Sequence, residues 1–174
     1  MNRSGTSVLV TLLIVSGTLS LGLIKSASAQ AAALAPSDHC RDFPPEAIVS
    51  FADSDLAEVV NDALGLSPGD ALTCEQAASL EELIVGTTIE RVVYGGTLRP
   101  SPEKPFESLE GIQNLTGLTR LSLINRLITD ISPLRSLSNL VQLNLHTNWF
   151  SDISPLSGLN RLEQLIISEN PISD

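Results

Sequence analysis

Thr129-Asp-Ile-Ser-Pro-Leu134 and Ser151-Asp-Ile-Ser-Pro-Leu156, followed by a shortened Ser173-Asp174, are one phrase written three times at a constant interval. Self-similarity at such a period marks a solenoid, whose units bury their apolar faces only by stacking on one another. Leu118, Leu140 and Leu162 share one phase, Leu121, Leu143 and Leu165 a second, and Leu123, Leu145 and Ile167 a third, so each unit reads Leu-x-x-Leu-x-Leu. The Leu-x-Leu pair has strand period: the apolar side chains point inward and the residues between them share an outer face. Asn148 and Asn170 come next, and a carboxamide offers both donors and acceptors to the backbone groups that a narrow turn buries. Stacked turns then make these residues a structural Asn ladder. Arg126 holds that place in the first full turn, with Asn125 one position early, which predicts an irregular turn there. Pro133 and Pro155 open the return leg and predict a short helical or irregular crossing rather than a second strand. They also argue against an amphipathic helical hairpin, the other reading of leucines spaced i, i+3.

Leu109-Glu-Gly-Ile-Gln-Asn-Leu-Thr-Gly-Leu118, then Leu-x-Leu, Asn and Asp-Ile-Ser-Pro-Leu, resembles the leucine-rich repeats of bacterial internalin-like surface proteins. The resemblance covers Leu109 to Asp174 closely and a cap-like stretch from about Ile48 to Val85 loosely. It implies an α/β solenoid: a short leucine-rich-repeat array with parallel strands on the concave face, preceded by a small helical N-terminal cap. By analogy of fold it also implies a host or cell-surface protein as partner.

The start of the chain reads differently. Arg3, an apolar run from Val8 to Leu23 and Ser26-Ala-Ser-Ala29 make a secretory signal peptide, with cleavage expected after Ala29. A retained anchor is the competing reading, but Gly17, Gly22 and several Ser and Thr interrupt the run. The residues before Cys40, Pro36-Ser-Asp-His39, lack the small-residue pattern expected before a lipidated cysteine. The expected organisation is a signal peptide over 1–29, a loose lead-in over 30–47, a helical cap over 48–86, an irregular first repeat with an inserted loop over 87–108, and leucine-rich repeats over 109–174. The expected location is extracellular, or the cell envelope including the periplasm.

Removing Arg3 and Lys25 with the signal takes the formal net charge from −10 to −12. An acidic surface repels phosphate backbones and anionic headgroups, so nucleic acid and, after cleavage, membranes are disfavoured as partners.

In the cap, Leu56, Val59, Val60, Ala63 and Leu64 form a helical stripe, with Asp53 to Asp55 offering N-caps and Gly65 a stop. Thr73-Cys-Glu-Gln76 has capping-box spacing and predicts a second helix running to about Ile84. Cys40 and Cys74 are the only cysteines; in an exported chain an even pair reads as a disulfide, with two free thiols the alternative. Counting back from Leu121 makes Arg91 to Tyr94 the expected first strand, with about seven residues inserted after it and Gly95 to Lys104 as a protruding loop. Phe106 rejoins the register, aligned with Ile128. Asn114-Leu-Thr116 has the spacing of an N-glycosylation acceptor.

Three classes of function follow. The first is a binding module for a protein, or a glycan, on the concave face. That face carries Arg120, Ser122 and Ile124, then Gln142, Asn144 and His146, then Gln164, Ile166 and Ser168, with Trp149 at the rim as an exposed anchor. Most of these are equally explained as solvated strand positions. The second class is an enzyme, but no nucleophile elbow, zinc-binding helix motif, phosphate-cradling glycine loop or metal-spaced Cys/His cluster occurs. No catalytic residue, metal or cofactor is therefore expected. Asp130, Asp152 and Asp174 recur because the repeat recurs, and they cap the segment that follows. The third is a structural or self-associating envelope protein, or a remnant of a longer array: the sequence stops at Asp174 with no capping segment, so self-association through Leu165, Ile167 and Ile172 is expected.

Overall fold

The computed structural model describes residues 31–86, 91–94, 97–100 and 105–173, so the expected signal peptide lies outside the described residues. Helix α1 is Ser54–Ala63 and α2 is Cys74–Ser79. They are followed by β1, Glu82–Val85, then β2, Arg91–Tyr94, and β3, Thr97–Pro100. The remaining strands are β4, Arg120–Leu123, β5, Gln142–Asn144, and β6, Gln164–Ile166. Strands β1, β4, β5 and β6 form one parallel sheet in that order, while β2 and β3 make a separate antiparallel pair.

The register explains why the repeats stack. Leu121 faces Leu143 and Leu143 faces Leu165, each pair separated by one full repeat, the same 22 positions that separate Arg120 from Gln142. The segments Ile112–Asn114, Ser132–Ser136 and Ser154–Gly158 cross back as 3₁₀ helices, the latter two with proline in their first turn, where its missing N–H costs nothing. Asp130 and Asp152 each accept the N–H of the serine two residues on, Ser132 and Ser154, at 2.8 Å. Inside, Leu118, Leu121, Leu123, Ile131 and Leu134 are buried, as are Leu140, Leu143 and Leu145 one turn later, while Leu156 is only partly buried and Ile153 is exposed; the core is aliphatic, with Phe106 and Phe150 as its buried aromatic members.

Two expectations are corrected here. The second helix does not reach Ile84; it ends at Ser79, and Glu82–Val85 joins the sheet beside β4, pairing Leu83 with Leu121. Leu83 and Val85 are buried while Glu82 and Ile84 are exposed, the alternation of a strand with one solvated face. Arg91–Tyr94 is accordingly not the first strand of the array, because it pairs with Thr97–Pro100 instead. Glu82 and its register partner Arg120 are 38 positions apart, whereas Arg120 and Gln142 are 22 apart. The first turn is thus longer than the repeat, and the β2–β3 hairpin falls within the excess.

The helices are fixed by their caps. Asp53 accepts the Leu56 N–H at 2.8 Å, and its other oxygen accepts the Glu107 N–H at 2.6 Å, so one carboxylate starts α1 and holds the first repeat. Thr73 and Gln76 form the reciprocal capping box of α2. Gly117 lies so close to the end of α2 that a Cβ there would sit 2.1 Å from the Ala78 carbonyl oxygen.

The lead-in is not loose. Leu34 is buried, the Leu34 N–H donates to the Ile48 carbonyl at 2.8 Å, and the Ile48 N–H donates to the Ala32 carbonyl at 2.8 Å. Cys40 and Cys74 form the expected disulfide. Asn114 accepts the Cys40 N–H at 2.7 Å and donates to the Asp38 carbonyl at 3.0 Å. With both ends of its carboxamide used and only 1% of its surface exposed, Asn114 is no glycosylation acceptor in the folded chain.

Candidate binding face

Four parallel strands present every second side chain outward, and the in-register pairing aligns them in rows. The first row is Glu82, Arg120, Gln142 and Gln164, and the second is Ile84, Ser122, Asn144 and Ile166. Just beyond the strands stand Ile124, His146 and Ser168, again one repeat apart in sequence. All of these two rows but Glu82 line a shallow trough of about 160 Å³, together with Leu121 and Leu143.

Polar groups in the rows are partly tied to one another. Arg120 Nη1 lies 3.0 Å from Glu82 Oε2, and its Nε donates to Gln142 Oε1 at 3.1 Å. The guanidinium is therefore both neutralised and oriented, at a cost or gain that exposure keeps small. Asn144 accepts the His146 N–H at 3.0 Å, and His146 Nδ1 lies 2.8 Å from Ser168 Oγ. Ile84 and Ile166, each 47% exposed, put apolar groups at the two ends of the second row. The trough is thus close to neutral, amide-rich in the middle and apolar at both sides.

Of the residues expected at a binding site, Arg120, Ser122, Gln142, Asn144, Gln164 and Ile166 come together in this trough. Ile124, His146 and Ser168 lie past the strand ends, and Trp149 is not among the residues lining the trough, being exposed beyond Asn148. Glu82 and Ile84 belong to the face as well. The sequence carries little signal for them: Glu82 is followed by three apolar residues, a run too short to tell a strand from the end of a helix.

The face is held rigid from below. Asn148 Nδ2 donates to the Leu123 carbonyl at 2.8 Å and the Leu145 carbonyl at 3.0 Å, while its Oδ1 accepts the N–H groups of Arg126 and Ile128, both at 3.1 Å. Asn170 donates to Leu145 and Ile167 carbonyls at 2.9 Å. Arg126, at the equivalent place one turn earlier, is buried with its guanidinium carbon 5.5 Å from the Phe106 ring centroid. Asn125, Thr147 and Glu169 turn the chain off each strand with φ of 55°, 57° and 59°. On the opposite side of the repeat, hydrogen bonds from the backbone N–H and hydroxyl of Ser154 hold the Asp152 carboxyl below its ordinary pKa.

Among the described residues there is no group of three or more His, Cys, Asp or Glu able to hold a metal ion, and no helix long and apolar enough to cross a membrane.

A family model for leucine-rich repeats, in two copies, matches residues 116–158. Among solved structures, an internalin of Listeria monocytogenes, InlF, shares 36% identity over 71% of this chain and 32% of its own, with a TM-score of 0.58. The functional domain of InlJ, also from Listeria monocytogenes, is 23% identical over 70% of this chain and 23% of its own, with a TM-score of 0.56, a likeness of fold alone. This chain thus spans about a third of the InlF chain and under a quarter of the InlJ chain. No curated protein matches.

Proposed function

We propose that this chain, an internalin-like leucine-rich-repeat protein, is an exported binding module that takes a protein partner, or a glycan, in the trough of its concave sheet. What carries the reading is the second row: two half-exposed isoleucines flank Ser122 and Asn144 on a sheet whose turns are pinned by Asn148 and Asn170. A rigid surface loses little entropy on binding, and apolar groups beside amides supply both area and register. Leucine-rich-repeat chains of this kind bind partners rather than turn over substrates, and this chain is read as non-enzymatic. Export rests on the signal-like residues 1–29, and the disulfide fits an oxidising compartment. The partner is an extracellular or cell-surface component.

Because the Arg120–Glu82 pair is internally neutralised, association through the trough should depend little on salt. The test is affinity for components captured from extracellular and surface material. Ser122→Arg places charge and bulk in the trough and should weaken binding at least about tenfold, the scale of one hot-spot loss. Ser157→Arg, exposed on the opposite crossing, should leave affinity unchanged. Equal affinity in Ser122→Arg and wild type would remove the concave face from the reading.

A second reading, self-association through β6, is favoured by one observation. Leu165 is 43% exposed, whereas Leu143, its partner in register, is 1% exposed. Leu143→Ala should cost about 3 kcal/mol, the usual scale for a buried leucine, and Leu165→Ala under about 1 kcal/mol in dilute solution. If copies cover β6 in pairs, the chain sediments as a dimer at high concentration and Leu165→Ala abolishes the dimer. A single monomeric species at all concentrations removes this reading.

A further inference from the structure

A second surface of the array is separate from the trough. Pro105, Leu127, Trp149 and Pro171 occupy the same position of four successive turns, and all four are exposed. Each is followed by the core residue that closes its turn, Phe106, Ile128, Phe150 or Ile172. The turns are bonded to one another here, Phe106 N–H to the Arg126 carbonyl at 2.9 Å and Trp149 N–H to the Ile128 carbonyl at 2.8 Å. The four side chains therefore form a column stepping at the interstrand distance of about 4.8 Å, roughly 14 Å in all.

Core packing does not account for this column. Trp149 is 52% and Leu127 37% exposed, and Leu127 holds φ at 55°, a region that costs an ordinary L-residue. Within three positions of the four residues, the exposed charged groups among the described residues are Glu107, Asp130, Asp152 and Glu169, with Arg135 near enough to Asp152 to favour its charged form and Lys104, beside Pro105, outside the described residues. The one arginine in that span, Arg126, is buried. An apolar column bordered by carboxylates calls for an occupant that is apolar along one line and cationic beside it.

We propose that this column docks a basic amphipathic helix of a partner protein. The step length selects a helix over a strand. Residues at i, i+3 or i+4, and i+7 of a helix advance by about 5 Å per contact, close to the turn spacing, whereas alternate residues of a strand advance by about 6.7 Å and fall out of step. Lysine and arginine on the flanks of such a helix meet Asp130 and Asp152. This surface stands independently of the trough, and the two are distinguished by salt: helix docking weakens as ionic strength rises, while trough binding does not.

Trp149 is the single tryptophan, so its fluorescence reports on the column alone. The probe is a synthetic helix-forming peptide of leucine and lysine with leucines at i, i+3, i+4 and i+7, titrated into the oxidised chain, with a leucine–glutamate peptide of the same pattern as the comparison. The expected result is a saturable blue shift with the lysine peptide and none with the glutamate peptide. Leu127→Asn removes an apolar step with a residue that tolerates positive φ, so the fold is kept, and should weaken binding about tenfold. Ser122→Arg in the trough should leave the shift intact. Absence of a shift, an equal response to the glutamate peptide, or wild-type affinity in Leu127→Asn would overturn the proposal.

Discussion

Asn148→Ala is expected to lose about 4 kcal/mol of folding stability, a large share of what a domain of this size holds. Four backbone groups lie within 3.1 Å of that one carboxamide, the Arg126 and Ile128 N–H groups and the Leu123 and Leu145 carbonyls, and the His146 carbonyl is a fifth partner at 3.4 Å. They come from two adjacent turns, and the side chain is 2% exposed, so water cannot replace it without opening the stack. Each orphaned group costs about 1 kcal/mol or more, and the losses fall together. Asn144→Ala removes the same functional group from a half-buried site with one hydrogen bond, to His146, and should cost under about 1 kcal/mol. Urea denaturation of the two variants beside wild type measures both. Equal losses would mean that the ladder position has no special role.

Removing the Cys40–Cys74 disulfide, by reduction or by Cys40→Ala with Cys74→Ala, is expected to cost about 4 kcal/mol, the chain-entropy value for closing so long a loop. The bridge spans 34 residues and ties the lead-in to the first residue of α2. Without it, the backbone bonds of Leu34 and Ile48, the burial of Leu34 and the contacts of Gln113 and Asn114 to Asp38 must hold the lead-in. The repeats themselves do not contain the bridge, so circular dichroism at room temperature should change little while the urea midpoint falls. An unchanged midpoint would show that hydrogen bonds and the burial of Leu34 suffice.

The repeats were legible because a solenoid imposes one environment at the same position of every turn, and Leu121, Leu143 and Leu165 obey it regardless of tertiary detail. Strand β1 was not. Leu80, Leu83 and Ile84 are spaced i, i+3, i+4 after a capping box, which fits a helix as well as the strand does, and what decides is the open edge of β4 that β1 covers. The longer step from β1 to β4, 38 positions from Glu82 to Arg120, hid that pairing, since counting one ordinary repeat back from Leu121 falls elsewhere.

The same error propagated to the site. The outward rows of β4, β5 and β6 follow from the repeat, but Glu82 and Ile84 complete them only once β1 is in the sheet, and Glu82 is what neutralises Arg120. The flanking column was obscured for a different reason. Trp149 stands out alone, whereas Pro105, Leu127 and Pro171 share its position without sharing its residue type. Asn114 shows the converse: its sequence pattern is that of an acceptor site, and burial under the lead-in removes it.

The central claim, that a partner lies on the concave trough, is tested most directly by the side-chain amide resonances of the ¹⁵N-labelled chain on addition of the captured partner. Gln142, Asn144 and Gln164 line the trough, while Asn139 bonds to the Thr116 carbonyl and to Arg161 outside it. The prediction is that the first three shift or broaden and Asn139 does not. Shifts at Asn139 with the trough amides unmoved would contradict it.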